Sequence, residues 1–138
     1  MTQEEKDILL KDLGARLLYH PIVHIHDLDV IDYDNYLYPD YLEKMMSDSI
    51  KLKPYLRPMT KMTEEEKGEL EYISEEYFGK ALDKQFQESL SSNINEGEIL
   101  EYIASSVIVD WLNANHFDYR GLIEKGLAIE APEGMYKF

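Results

Sequence analysis

The chain reads as an α+β protein, with three main helices and a small, mainly antiparallel sheet in a single domain covering residues 1–138. Three observations predict this class. Apolar residues recur at three- and four-residue spacing in stretches opened by capping residues, the signature of amphipathic helices. Between the first two of these stretches the period drops to two, with β-branched and aromatic residues in alternation. The 138 residues, 44% hydrophobic and 30% charged, have the composition of one globular domain and not of a disordered chain.

The first helix opens at Thr2, where Thr2 and Glu5 have capping-box spacing and Glu4, Glu5 and Asp7 complement the positive end of the helix dipole. Leu9, Leu10, Leu13, Leu17 and Leu18 form its apolar stripe, and Pro21 ends it by biasing the residue before it out of the α region. Residues 22–26 and 30–34 are expected strands, with a hairpin turn near Asp27–Asp29 or another near Asp34-Asn35. Tyr36-Leu37-Tyr38 is a natural extension of the second. Residues 41–46 have room for one or two helical turns after Pro39-Asp40. Residues 50–58 are expected to be extended, because Pro54 and Pro58 do not fit inside a helix. Thr63 repeats the capping box at the head of a second helix, whose stripe is Leu70, Ile73 and Tyr77 and whose break is Gly79. Residues 80–95 keep helical spacing at Leu82, Phe86 and Leu90. A third helix, capped by Asn95 with Glu98, aligns Leu100, Ile103, Val107 and Trp111 and stops around residues 113–115. Asp118 is then expected to cap a short helix over residues 119–125, closed by Gly126. Residues 127–129 read as a short strand before a turn at Pro132-Glu133-Gly134.

Net charge is −14, and it is not evenly spread. Residues 27–48 carry −6 and residues 63–101 carry −9, separated by a basic island of Lys51, Lys53, Arg57 and Lys61. Such a field repels phosphate backbones, so no direct nucleic-acid binding is expected, whereas basic protein surfaces are attracted. The absence of cysteine excludes disulfides and thiolate metal sites. No apolar run approaches the ~18 residues that span a bilayer. The start, Met1-Thr2-Gln3-Glu4-Glu5-Lys6, lacks the basic and apolar regions of a signal peptide. A cytoplasmic protein with no membrane association is the expectation.

His24 and His26, two apart on an expected strand, project from one face, with His20 ahead and Asp27, Asp29, Asp32 and Asp34 behind. Two imidazoles and a carboxylate are a candidate site for zinc or non-haem iron. The run matches the opening of a His-x-His-x-Asp-His motif, but Leu28 and Asp29 fill its last two places. There is no Gly-rich phosphate loop, no Gly-x-Ser-x-Gly elbow and no His-Glu-x-x-His, so the reading leans away from an enzyme and implies no cofactor. Eleven tyrosines are many for this length, and Tyr33, Tyr36, Tyr38, Tyr41 and Tyr55 fall close together. Interleaved with Asp32, Asp34 and Asp40, they suit a basic partner.

The last thirty residues concentrate rare types: the only Trp, one of three Arg and one of four His. The run Trp111-Leu112-Asn113-Ala114-Asn115-His116-Phe117-Asp118-Tyr119-Arg120-Gly121-Leu122-Ile123-Glu124-Lys125-Gly126-Leu127-Ala128 resembles the ending of a family of short, uncharacterised proteins of gut bacteria and their phages or prophages. The resemblance extends to Leu9–Leu13, Ala15-Arg16-Leu17, Lys53–Met59 and Met62–Glu66. It departs at Leu18-Tyr19-His20-Pro21, where the family has a Leu-Pro-Tyr-Gly-like turn. It implies a phage or prophage setting and not a reaction. Within this ending Trp111, Asn113, His116, Asp118, Tyr119 and Arg120 are the candidate recognition residues. A structural clasp, with Asp118 capping and Arg120 reaching a carboxylate, is the competing role. Together these features predict a small, acidic, non-enzymatic interaction protein acting on a host or phage protein. The alternatives are a metal-dependent enzyme using His24 and His26, or an acidic inhibitor mimicking nucleic acid.

Overall fold

The computed structural model describes residues 1–27, 32–78 and 106–136. Over these the chain is a mixed α+β protein. Its helices are α1 (Gln3–Arg16), α2 (Pro39–Met46), α3 (Glu64–Phe78) and α4 (Ser106–Ala114). Its strands are β1 (Ile22–Asp27), β2 (Asp32–Tyr36), β3 (Ile50–Pro58), β4 (Phe117–Asp118) and β5 (Ile129–Glu130). The chain divides into two compact units, Met1–Leu56 with Leu122–Phe138, and Arg57–Gly121. Each has its own hydrophobic cluster.

In the first unit, α1 begins where its capping box dictates. The Glu5 amide donates to Thr2 Oγ1 at 3.1 Å, and the Thr2 amide donates to Glu5 Oε1 at 2.9 Å. Leu9 and Leu13 of the expected stripe are buried and Leu10 and Leu17 pack against them, but Leu18 is exposed. The stripe fails there because the chain tightens into a 3-10 turn over Leu17–Tyr19 and leaves it through His20 at φ 53°. The buried face of α1 also holds a charged pair: Arg16 Nε donates to Asp12 Oδ2 at 2.9 Å, and both side chains are 0% exposed. Two ions taken out of water one turn apart each offset part of the other's desolvation cost.

The sheet of this unit has β1 at its centre, antiparallel to both β2 and β3, while β5 joins β3 in parallel through Tyr55–Ile129 and Leu56–Glu130. Parallel pairs make the sheet mixed, although its two longest ladders are antiparallel as expected. Period-two burial follows from the pleat. Val23 and Ile25 of β1 and Leu52, Pro54 and Leu56 of β3 face the core, where they meet Leu9, Leu13, Leu37, Tyr41 and Met45. The second strand of the hairpin runs on to Tyr36, while Val30 and Ile31 of its expected start lie outside the described residues. Pro39 sits in the first turn of α2, where a missing N–H costs nothing, and the helix reaches two full turns.

In the second unit the Thr63 capping box forms as predicted, with Glu66 N donating to Thr63 Oγ1 and Thr63 N to Glu66 Oε1, both at 3.1 Å. The core gathers Met59, Met62, Leu70, Ile108, Leu112, Phe117 and Tyr119. Arg57 and Pro58, the last residues of β3, pair in parallel with Phe117 and Asp118 of β4. Gly79, the spacing over residues 80–95, the Asn95–Glu98 cap, Leu100 and Ile103 all lie outside the described residues.

The expected helix over residues 119–125 is not formed. Asp118 is a strand residue, and Gly121 at φ 72° interrupts any helix that would start from it. Only one turn, over residues 122–125, remains. Its end is a Schellman arrangement: Gly126 N donates to Ile123 O at 3.1 Å and Leu127 N to Leu122 O at 2.9 Å, with Gly126 at φ 76°. The short strand that follows is β5, two residues later than the expected start.

Candidate functional site

The first candidate site is the outer face of the sheet. Because Val23 and Ile25 turn inward, Ile22, His24 and His26 must turn outward, and cross-strand partners share that face. The register aligns Lys51, His26 and Asp32 in one row and Lys53, His24 and Asp34 in the next. A basic strand, an imidazole strand and a carboxylate strand thus lie side by side.

His24 Nδ1 meets Asp34 Oδ1 at 2.8 Å, and its Nε2 lies 3.6 Å from Asp32 Oδ2. His26 Nδ1 is hydrogen-bonded to Asp32. That bond, more than the charges of His26 and His24, holds the Asp32 carboxyl below its usual range. Tyr55 Oη donates to both oxygens of Asp34, at 3.1 and 3.2 Å. Burial, and then its bond to Asp34, push the Tyr55 hydroxyl up. His24 and His26 therefore share a face as the sequence predicts, with Asp32 between them. Among the described residues, however, no group of three or more His, Asp or Glu side chains has the arrangement to hold a metal ion.

One end of this face is closed by a group the sequence did not point to. Tyr136 Oη accepts from Ile22 N at 2.8 Å and donates to Tyr55 O at 2.7 Å, taking the place of a rung between β1 and β3. Burial pushes this hydroxyl up to about 12. A tyrosine near the chain end gives no local signal of such a role.

Along β2 the expected tyrosine cluster is on the surface. Tyr33, Tyr36 and Tyr38 are 41%, 52% and 46% exposed, whereas Tyr41 is buried. Tyr38 meets Tyr41 edge-on with ring centroids 5.9 Å apart, and Asn35 Nδ2 donates to Tyr41 Oη at 3.0 Å. A hydrogen bond with Tyr41, and then burial, raise the Tyr33 hydroxyl. Among the described residues β2 has a ladder on one side only.

The second candidate site, the C-terminal segment, is largely internal to its unit. Asn113, His116, Asp118 and Tyr119 are buried, while Trp111 and Arg120 are half-buried. Tyr119 Oη donates to Asn113 Oδ1 at 3.0 Å and accepts from Arg120 Nη2 at 3.2 Å, with the Arg120 guanidinium over the Tyr119 ring. His116 takes φ 62°, and its carbonyl accepts from Arg57 N at 2.7 Å.

Four side chains outside the predicted set, Arg57, Glu66, Glu69 and Phe117, complete this arrangement. Trp111 stacks on Phe117 at 5.8 Å, and the Arg57 guanidinium lies 4.2 Å from the centroid of the Phe117 ring. Arg57 grips Glu66 with both nitrogens, at 2.7 and 2.8 Å, and reaches Asn115 O at 3.2 Å. Trp111 Nε1 donates to Glu69 Oε1 at 3.0 Å. Burial raises the Glu66 carboxyl, but its bonds from Arg57 and from the Thr63 amide outweigh that and leave it below the usual carboxylate range. Arg57 with Glu66, and Trp111 with Glu69, turn their polar atoms to one another while Arg57 and Trp111 both cover the Phe117 ring, an internal clasp.

No family model matches the chain, and neither the curated proteins nor the solved structures provide a match. Among the described residues no helix is long and apolar enough to cross a membrane.

Proposed function

We propose that this chain is a small, non-enzymatic protein-interaction module that presents β2 and the start of α2 to a basic protein surface. The observation that carries this reading is the exposure of Tyr33, Tyr36 and Tyr38 within six residues, interleaved with Asp32, Asp34 and Asp40. Exposed tyrosines offer large contact area at low entropic cost, and their hydroxyls tolerate water until a partner arrives. The carboxylates add long-range attraction for a basic partner, in a chain whose net charge is already −14. In the setting that the family resemblance implies, that partner is a host or phage protein.

The test is affinity capture with wild type and with a Tyr33→Ser, Tyr36→Ser, Tyr38→Ser variant, at low and moderate salt. Tyr72, exposed on α3 of the other unit, serves as the control through Tyr72→Ser. A basic protein retained by wild type and by the control but lost from the triple variant supports the reading. Equal retention by all three contradicts it.

A further inference from the structure

The edge of β2 that has no neighbour among the described residues specifies more than attraction, and what it specifies rests on the interaction-module reading above. Pro54 of β3 stands opposite Val23 and has no N–H, so that pair cannot be a hydrogen-bonded rung. Val23 and Ile25 must then direct their amides and carbonyls to the other neighbour, toward Asn35 and Tyr33 of β2. Two further bonds agree with this phase. Leu37 N, in the same odd-numbered series, donates to Pro21 O at 2.9 Å. Tyr36 N, in the even series, donates to its own neighbour, Asn35 Oδ1, at 2.8 Å, and not to β1. The amides and carbonyls of Asp32 and Asp34 are therefore directed away from the sheet.

An added strand would continue the two rows of the outer face. After Lys53, His24 and Asp34, and after Lys51, His26 and Asp32, the next side chain in each row sits beside a carboxylate. Each carboxylate still has acceptor capacity beyond its histidine, so a cation is favoured there and an acid disfavoured. Residues between these two positions point to the opposite face, beside Tyr33, where an apolar side chain has a partly exposed ring to pack on. A second copy of this chain offers the wrong chemistry, because its β2 also carries Asp at alternate positions and the net charges repel.

We propose that β2 accepts an extended partner segment by antiparallel strand addition, and that the segment alternates Lys or Arg with apolar residues. Backbone bonds to Asp32 and Asp34 would supply affinity, and the two flanking cations would set the register.

The experiment is calorimetric titration of the full chain with a synthetic acetylated peptide that alternates lysine and valine. Two N-methylated versions have the same side chains and the same charge. Methylating the lysine amides blocks the rungs opposite Asp32 and Asp34, whereas methylating the valine amides affects only the outer edge. Strand addition predicts saturable binding of the parent peptide, roughly tenfold weakening for the lysine-methylated version and little change for the valine-methylated one. Equal affinity for all three would mean charge attraction alone and would overturn strand addition, while leaving the tyrosine surface intact as an interaction site. No saturable binding by any peptide, or dimerisation of the chain that the parent peptide disrupts, would also overturn it. Failure of the interaction reading itself is read separately, from capture by the tyrosine variants.

Discussion

Arg57→Ala removes the centre of the clasp in the second unit, and its cost can be worked from the contacts. The guanidinium holds both oxygens of Glu66 at 2.7 and 2.8 Å and covers Phe117 at 4.2 Å. The two charged side chains are 15% and 12% exposed, so solvent screens the pair only partly. Charge-assisted bonds of this kind contribute roughly 2 kcal/mol after that discount, and the cation over the ring roughly 1 kcal/mol more. A loss of about 3 kcal/mol is therefore expected, with Arg57→Lys intermediate because an ammonium cannot make the planar fork. Urea unfolding followed by the fluorescence of Trp111 reports on this place directly, since Trp111 is the only tryptophan and stacks on Phe117. Glu66→Gln in the same background closes a double-mutant cycle, with a coupling of at least about 1 kcal/mol expected. A loss for Arg57→Ala below about 0.5 kcal/mol, or additive single losses, would refute the reasoning.

Glu66 also sets a pH dependence. Its folded carboxyl titrates below the ordinary value of 4.5, so the stability it contributes is fully present above that value. It is lost as pH falls through the depressed folded value. The Trp111-monitored midpoint should fall on acidification below about pH 4.5 and do so less in Arg57→Ala; equal slopes would contradict the assignment. Gly126→Ala places a Cβ at φ 76° and should cost about 1–2 kcal/mol, read by urea unfolding with circular dichroism; an unchanged midpoint would argue against the Schellman ending. Tyr136→Phe strands Ile22 N and Tyr55 O and should cost about 1–3 kcal/mol. In wild type one tyrosine should resist ionisation until about pH 12 in ultraviolet difference titration; loss of that late step in the variant identifies it, and its persistence would assign it elsewhere.

What the sequence made legible was what depends on near neighbours. Both capping boxes form because Thr and Glu three apart bond to each other's amides whatever surrounds them. The His24, His26 face follows from strand period alone, whereas the cross-strand placing of Asp32 and Asp34 beside it needed the register. Asp118 misled because the same residue type suits a helix cap and a strand end, and the left-handed Gly121 decided between them. The α1 stripe was read as leucines only, yet Asp12 and Arg16 complete its buried face, since a pair of opposite charges one turn apart can be buried together. The clasp was half visible. Trp111, His116 and Arg120 stood out as rare types, but Arg57 and Glu66 come to this segment from more than forty residues away and carry no local pattern. Tyr136 was invisible for the same reason, being more than eighty residues from either strand it joins.

Amide chemical-shift mapping with the alternating lysine–valine peptide tests most directly whether β2 is the binding edge. Strand addition at β2 predicts saturable shifts concentrated at Asp32, Tyr33, Asp34 and Tyr36, with slowed solvent exchange at the Asp34 amide. Shifts spread over the other acidic surfaces, such as Glu64 and Glu65 at the head of α3, with none at β2, would contradict it.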